Sequence, residues 1–480
     1  MVRSCVSAIC AVLFSLGLGV GCQRLTPVVP AAPPATAGST VAFWLTNPDK
    51  SVLFRQQAGL AWGTAATASS SAVIEVDEQQ TYQTIDGFGY SLTGGSAQLL
   101  HAMAPAARHA ILRELFATDA ANIGVSYLRL SIGASDLDAA VFSYDDLPAG
   151  QTDPTLARFS LAPDLVHLVP VLKEILAINP DIKLLGSPWS PPAWMKTNNS
   201  SKGGSLKPEF YDAYARYFVK YIQGMKAQGV RIDAITVQNE PLHPGNNPSL
   251  LMLAEQQAEF VKLHLGPAFR TAGLDTKIII YDHNADRPDY PLTILNDPEA
   301  RQYIDGSAFH LYAGPIEALS TVHNAHPDKH IYFTEQWVGS KSLFAENVPW
   351  HVRTLLIGAT RNWARTVLEW NLAADPQQNP HTPGGCTECR GALTIAGSSV
   401  TREDAYYIVA HASKFVRPGS VRIASTLAPT LPNVAFKTPA GQQVLLVQND
   451  ARTPQSFHVR YHGQVFTATL GAGSVGTYVW

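Results

Sequence analysis

Charge is scarce in this sequence. Only 15% of its 480 residues are Asp, Glu, Lys or Arg, and they nearly cancel: 35 basic against 38 acidic side chains leave a formal net charge of −3. Without a basic excess the chain lacks the electrostatic footprint of a nucleic-acid binder, and no nucleic acid is expected as a partner. Beyond residue 21 no segment holds the ~18 predominantly apolar residues that a membrane-spanning helix needs. No glycine-rich loop precedes a helix in the way phosphate binding requires, so no nucleotide is expected. His323, His326 and His330 lie close in sequence but without an acidic ligand set, and a solvated surface is the better reading of them. No metal and no other cofactor is therefore expected. What the chain does hold is hydrophobic residues at 46% and aromatic residues at 9%. A chain of this size and composition can bury a large core.

Cysteine is also sparse, at five residues. Cys5 and Cys10 fall in a leader: Arg3 gives a basic start and residues 5–21 carry no charge, the pattern of a secretory signal over 1–22. Small residues before Cys22 resemble a bacterial lipoprotein cleavage box, with Cys22 as the lipidated residue, although Gly19 stands where Leu is usual. The expectation is an exported bacterial protein, either periplasmic, anchored at the outer membrane or secreted. A lipid on Cys22 would be its only link to a membrane, and the protein is expected to be a monomer. Residues 23–40, rich in Pro, Ala and Thr, make an extended tether. Only Cys386 and Cys389 remain. A lone CxxC is weak evidence for zinc; in an oxidising compartment a local disulfide is the expected state, with free thiols or a metal as the alternatives.

From residue 81 to 417 short apolar runs alternate with helical patterns. Eight candidate strands stand at 84–90, 125–131, 183–187, 234–238, 277–281, 307–311, 331–335 and 366–370. Pro105, Pro163 and Pro208 open helical stretches, Gly229 closes the last of these and Gly273 closes another, the usual helix punctuation. Eight strand–helix alternations predict an α/β fold, a parallel (β/α)8 barrel of the TIM type. In the helical stretch 208–228, Phe210, Tyr214, Tyr217, Phe218, Tyr221, Ile222 and Met225 fall at helical spacing and are expected to pack on the barrel. Residues 41–80 and 418–480 read as short alternating strands with turns every 8–12 residues. They predict a side β-sandwich built from both ends of the chain.

In such a barrel the working residues project from the C-terminal ends of the strands. There this sequence places Arg129, Asp136, Trp189, Asn239-Glu240, Asp282-His283-Asn284, His310, Tyr312, Glu335 and Trp370-Asn371. The fourth strand runs into Glu240, and the seventh ends in Glu335. Two carboxyls facing across a rim are what glycoside cleavage needs: one protonated to release the leaving oxygen, one ionised to attack or to activate water. Arg129 can keep one of them charged. The alternative is that both glutamates only cap the barrel through ion pairs.

Several stretches then resemble glycoside hydrolase family 30, the glucosylceramidase (glucocerebrosidase) family. They are Ile85-Asp-Gly-Phe-Gly, Ser187-Pro-Trp-Ser-Pro-Pro-Ala-Trp-Met-Lys, Thr236-Val-Gln-Asn-Glu-Pro, Phe333-Thr-Glu, Glu369-Trp-Asn-Leu and Ser413-Lys-Phe-Val-Arg-Pro-Gly-Ser. They run in family order from about residue 80 to the end. The resemblance implies a retaining mechanism with Glu240 as acid/base and Glu335 as nucleophile. It implies Arg129 as support for the nucleophile, and Asp136, Trp189, Asn239, His310, Tyr312, Trp370 and Asn371 as the lining of the glycone pocket. The sequence departs from the glucosylceramidase pattern after Asn371-Leu-Ala, on the aglycone side, which puts a ceramide substrate in doubt. The expected activity is a glucosylceramidase-type retaining β-glucosidase acting on a β-glucoside or β-glucan. Its alternatives are an endo-β-1,6-glucanase or other family β-glycanase and, from another class, a non-catalytic sugar-binding surface lipoprotein.

Overall fold

The computed structural model describes residues 40–64 and 72–480. The leader and tether readings, Cys22 among them, lie outside these residues. The barrel consists of β1 (Gly87–Leu92), β2 (Tyr127–Ile132), β3 (Lys183–Pro188), β4 (Ala234–Thr236), β5 (Lys277–Asn284), β6 (Ile304–His310), β7 (His330–Glu335) and β8 (Ala364–Asn371). They close in chain order, with every neighbouring pair parallel.

Seven of the eight strands send one apolar side chain to a shared layer inside the barrel: Tyr127, Leu185, Ala234, Ile279, Ala308, Tyr332 and Leu368. This layer makes the barrel a packed core, not a pore. The opposite faces of the strands bury against the surrounding helices. Helix Tyr211–Ala227 behaves as its pattern predicts, with Tyr214, Tyr217, Phe218, Tyr221, Ile222 and Met225 buried. Helix boundaries shift by a few residues from the sequence expectation. The stretch that Gly273 closes is a helix over Ala254–Thr271, with a wider π-helical turn at Val261–Leu265.

The chain's two ends build one continuous, curled eleven-strand sheet. Thr40–Thr46 pairs antiparallel with Val475–Val479, and Ala72–Thr84 lies between Val421–Ser425 and Gln455–Tyr461. Its central strands Asn433–Lys437, Gln443–Gln448 and Val475–Val479 are buried on both faces, and alternation sorts their residues. Val434, Phe436, Val444 and Leu446 join the barrel's core. The residues between them, Ala435, Leu445 and Val447, join Phe457, Phe466 and Tyr478 in a separate core inside the curl. His411, on the helix after β8, is fully buried between Thr477 Oγ1 and Thr46 Oγ1, 2.8 Å from each, and so ties the barrel to the sheet.

Candidate active site

Two residues past the apolar layer each strand turns the same face inward again. The inward set is now mostly polar: Arg129, Ser187, Thr236, His310, Thr334 and Trp370. β5 breaks the rule. Tyr281 and Asp282 sit in left-handed backbone at φ 72° and 64°, and the pairing register with β6 shifts there. The extra residue brings Asp282 inward, three positions after Ile279.

Asp282 is fully buried and receives four donors: Arg129 Nη2 at 2.8 Å, Thr236 Oγ1 at 2.7 Å, Thr334 Oγ1 at 2.6 Å and His310 Nε2 at 3.1 Å. Burial disfavours its charge, but Arg129 and the bonds from His310 and Thr334 hold its carboxyl far below the usual range. Arg129, also fully buried, spends its remaining donors on Ser187 Oγ at 3.0 Å, Asn239 Oδ1 at 2.6 Å and Glu335 Oε2 at 2.6 Å. Trp189 and Trp370 cover it, with ring centres 4.8 and 5.7 Å from the guanidinium carbon. Tyr312 donates its hydroxyl to Glu335 Oε1 at 2.9 Å.

Glu240 follows β4 in left-handed backbone at φ 43°, held by its amide's bond to the Asp282 carbonyl at 2.9 Å. For a non-glycine residue this conformation costs on the order of 1–3 kcal/mol and persists only where the surroundings enforce it. Its Oε1 lies 3.1 Å from His310 Nδ1, whose ring is therefore clasped between Glu240 and Asp282. One ligating atom each of Glu240, His310 and Glu335 lies within 4.8 Å of the others, the grouping with metal-ligand spacing found among the described residues.

Burial works against the charge on both glutamates. It keeps Glu335 above the ordinary carboxylate range despite His310 and Arg129, with Glu240 and Asp282 adding their repulsion. Glu240 falls below that range, because the hydrogen bond and charge of His310 overcome its burial. Burial alone would lower His310, yet the charge of Glu335 and the bonds to Asp282 and Glu240 push it up to about 9.

The glutamates open into a cavity of about 420 Å³. Trp189 and Trp370, stacked with ring centres 5.3 Å apart, wall one side with Trp337 and Asp136. Asp136 is pushed up to about 7 by burial and then by Glu335, while the Cys386 amide pulls against this. Cys386 and Cys389, joined as a disulfide, complete that wall. His243, Asn246, Asn284 and Tyr312 line the rest of the cavity.

The structure thus brings Glu240, Glu335, Asp136, Trp189, Asn239, Tyr312 and Trp370 to the cavity surface. Two expected lining residues, His310 and Asn371, stand elsewhere. His310 lies beneath the surface, fully buried, and holds Glu240, while Arg129, equally buried, pairs with Glu335 in the supporting place that the resemblance implies. Asn371 turns to the first barrel helix, where its Oδ1 accepts from Ser96 Oγ at 2.8 Å and Thr93 Oγ1 at 3.3 Å. Trp194 is a core residue whose Nε1 donates to the Asp145 carbonyl. Two groups of site residues escape a reading of strand ends. Asp282 as the hub depends on the distortion of β5, and His243 and Asn246 sit in a loop whose only sequence signal is its place just after Glu240.

Comparison with known proteins places these features in a family. The description "Glycosyl hydrolase family 30 TIM-barrel domain" matches residues 85–416, and "Glycosyl hydrolase family 30 beta sandwich domain" matches residues 419–478. An endo-1,6-beta-D-glucanase of Neurospora crassa is 36% identical over 87% of this chain and 90% of its own length. The lysosomal acid glucosylceramidase of Mus musculus is 28% identical over 87% of this chain and 85% of its own. A solved endo-beta1,6-glucanase superposes with a TM-score of 0.85 at 35% identity, covering 92% of this chain and 99% of that one. Fold, facing carboxylates and these likenesses lead to one conclusion: the chain belongs to glycosyl hydrolase family 30.

Proposed function

We propose that the protein is a retaining endo-β-1,6-glucanase, with Glu335 as nucleophile and Glu240 as acid/base. The likeness to endo-1,6-glucanases at 35–36% identity over most of the chain carries the choice of substrate, against 28% to the glucosylceramidase. His243, Asn246 and Asn284 on the cavity lining support it, since they offer partners to the hydroxyls of a leaving sugar.

Retaining glycosidases keep their two carboxyls about 5–5.5 Å apart, and inverting ones about 6.5–9.5 Å. Glu240 and Glu335 each place an oxygen within 4.8 Å of the other, on the retaining side of that divide. Glu335 attacks the anomeric carbon as Glu240 protonates the departing oxygen. Glu240, then ionised, takes a proton from water, and the glycosyl ester is hydrolysed with its β configuration kept. The first step needs the charge on Glu335 and a proton on Glu240, and the surrounding donors favour that arrangement. Arg129 and Tyr312 both point at Glu335 and stabilise its charge. With Nε2 committed to Asp282, the Nδ1 proton of His310 faces Glu240 and can be passed to it.

The test is a panel of soluble β-1,6-glucan, β-1,3-glucan, xylan and glucosylceramide. Release of β-1,6-linked oligosaccharides, first seen by NMR as the β anomer, is the expected result; preferential release of ceramide, or of the α anomer, would refute it. Glu335→Gln should abolish turnover. Glu240→Gln should lose about 10²–10⁴-fold on glucan but far less on a dinitrophenyl β-glucoside, whose leaving group needs no proton.

We also infer an exported setting from the leader sequence. A polymeric substrate met outside the cell suits that setting, and cell fractionation checks it.

A further inference from the structure

The Cys386-Thr-Glu-Cys389 motif has no part in the chemistry above, yet both cysteines line the cavity as a disulfide. Each half is fixed to a different part of the site. Cys386 donates its amide to Asp136 Oδ2 at 3.1 Å. Cys389 pairs with Gly339 in a short antiparallel ladder, four residues beyond Glu335. Its side chain clusters with Trp189 and Trp370, and Trp337 packs beside them. The bridge therefore links the Asp136 side of the wall to the segment that leaves the β7 carboxylate.

The chain before the bridge lies directly on Asp136. The amide of Thr382 donates to the Asp136 carbonyl at 2.9 Å, and Thr382 Oγ1 donates to the Asn247 carbonyl at 2.5 Å. Asn247 Nδ2 returns a bond to the Pro383 carbonyl at 3.1 Å. Gly385 approaches so closely that a Cβ there would stand 2.3 Å from the Asp136 carbonyl oxygen. Gly384, at φ 85°, and Gly385 leave this backbone free to pivot. On the other side of Cys386, the disulfide is the covalent restraint that holds its amide in place.

We propose that the Cys386–Cys389 disulfide is a positioning element for the sugar: it fixes the Cys386 amide against Asp136, so that substrate affinity depends on the bridge being closed. Asp136 faces two other acids, Glu335 and Glu240, in a buried wall, and the amide is what offsets them. Freed from the bridge, the amide drifts, the carboxyl keeps its proton to higher pH, and it stops accepting a hydroxyl from the sugar. The proposal rests on this cavity being the glycoside site, and is independent of which β-glucan fills it.

The test uses the full chain and a water-soluble phosphine. The phosphine gives two electrons to the S–S bond and takes an oxygen atom from water as its oxide, and the two protons of that water end on the thiols. The gain of two thiols per chain is titrated. On reduction KM for β-1,6-glucan or 4-nitrophenyl β-glucoside, whichever is hydrolysed, should rise about tenfold with kcat nearly unchanged. The acid limb of kcat/KM should move up by about one pH unit, and reoxidation should restore both. Cys386→Ser with Cys389→Ser should reproduce the reduced enzyme. In Asp136→Asn, reduction should leave KM within about twofold, because two groups acting as a unit do not add. An unchanged KM and acid limb with both thiols titrated would overturn the proposal. So would a loss in kcat alone, the mark of general loosening, or losses that multiply in Asp136→Asn. If the double variant does not fold, reduction of the folded enzyme decides; if the bridge resists the phosphine, the double variant does. Absence of turnover by the oxidised enzyme on every glycoside would instead count against the cavity as a glycoside site.

Discussion

Asp282 reaches the centre of the cleft because the strand that carries it loses its alternation for one residue. Its carboxylate touches neither glutamate. It holds the Arg129 guanidinium that pairs with Glu335 and the His310 imidazole that pairs with Glu240, so both reacting groups are aimed by one buried charge. Asp282→Asn would keep the shape and remove that charge. It should cost about 10–100-fold in kcat/KM, as outer supports typically do, and should also move the alkaline limb of the pH profile downward. The sign follows from His310: Asp282 is one of the acids that push it up to about 9, so without Asp282 the ring releases its proton at lower pH. Steady-state kinetics from pH 4 to 10 checks both. At this scale Glu240 and Glu335 are legible in the sequence, since each closes a strand-like run beside other polar residues. Asp282 as a hub is not, because counting by twos along β5 assigns the inward place to Tyr281. The orientation of Asn371 is hidden for a different reason: it is set by Ser96 and Thr93, hydroxyls nearly three hundred positions earlier.

The segment between β8 and the following helix matters most among the elements. It leaves β8, crosses to the loop after β2 at Asp136 and to the loop after β4 at Asn247, and returns to the segment beyond β7. Its departure from the glucosylceramidase pattern is visible in the sequence, but its route across the barrel mouth is not, since that depends on contacts with three distant loops. Gly385→Ala tests whether this route matters. The added methyl would press on the Asp136 carbonyl, so the strap must lift. KM should rise several-fold while the melting temperature changes little, because only the local bonds of Thr382 and Cys386 are lost; kinetics and a thermal melt on one preparation suffice. The eight strands themselves were readable because their runs are apolar on both faces. Helix Gly94–Ala102 escapes a periodicity reading because it opens Gly-Gly and its apolar face is weak; the Thr93 side chain, accepting from the Ser96 amide, starts it.

On the scale of the whole molecule, barrel and sheet share a core and a polar pin. His411 is pushed down to about 3 by burial alone, so the native state keeps it neutral. An unfolded chain would protonate it near pH 6.5. Between about 6.5 and 3 the unfolded state therefore binds the extra proton, and this residue removes about 1.4 kcal/mol of stability for each unit of acidification. Below about 3 both states are protonated and the loss levels off. His411→Gln should flatten the fall in melting temperature over that window, which melts at successive pH values would detect; an identical slope in wild type and variant would count against the assignment.

The pairing of Thr46 with Val475 has a consequence for how the molecule comes into being. Thr40–Thr46 leaves the ribosome long before Val475–Val479 and must wait for it before this edge finds its neighbour. The curled sheet cannot close around its own core while synthesis is under way, and long-separated pairings of this kind form slowly. An unfinished chain would keep one edge of Thr40–Thr46 open, with that strand paired only to the short local segments Arg55–Gln56 and Leu60–Ala61.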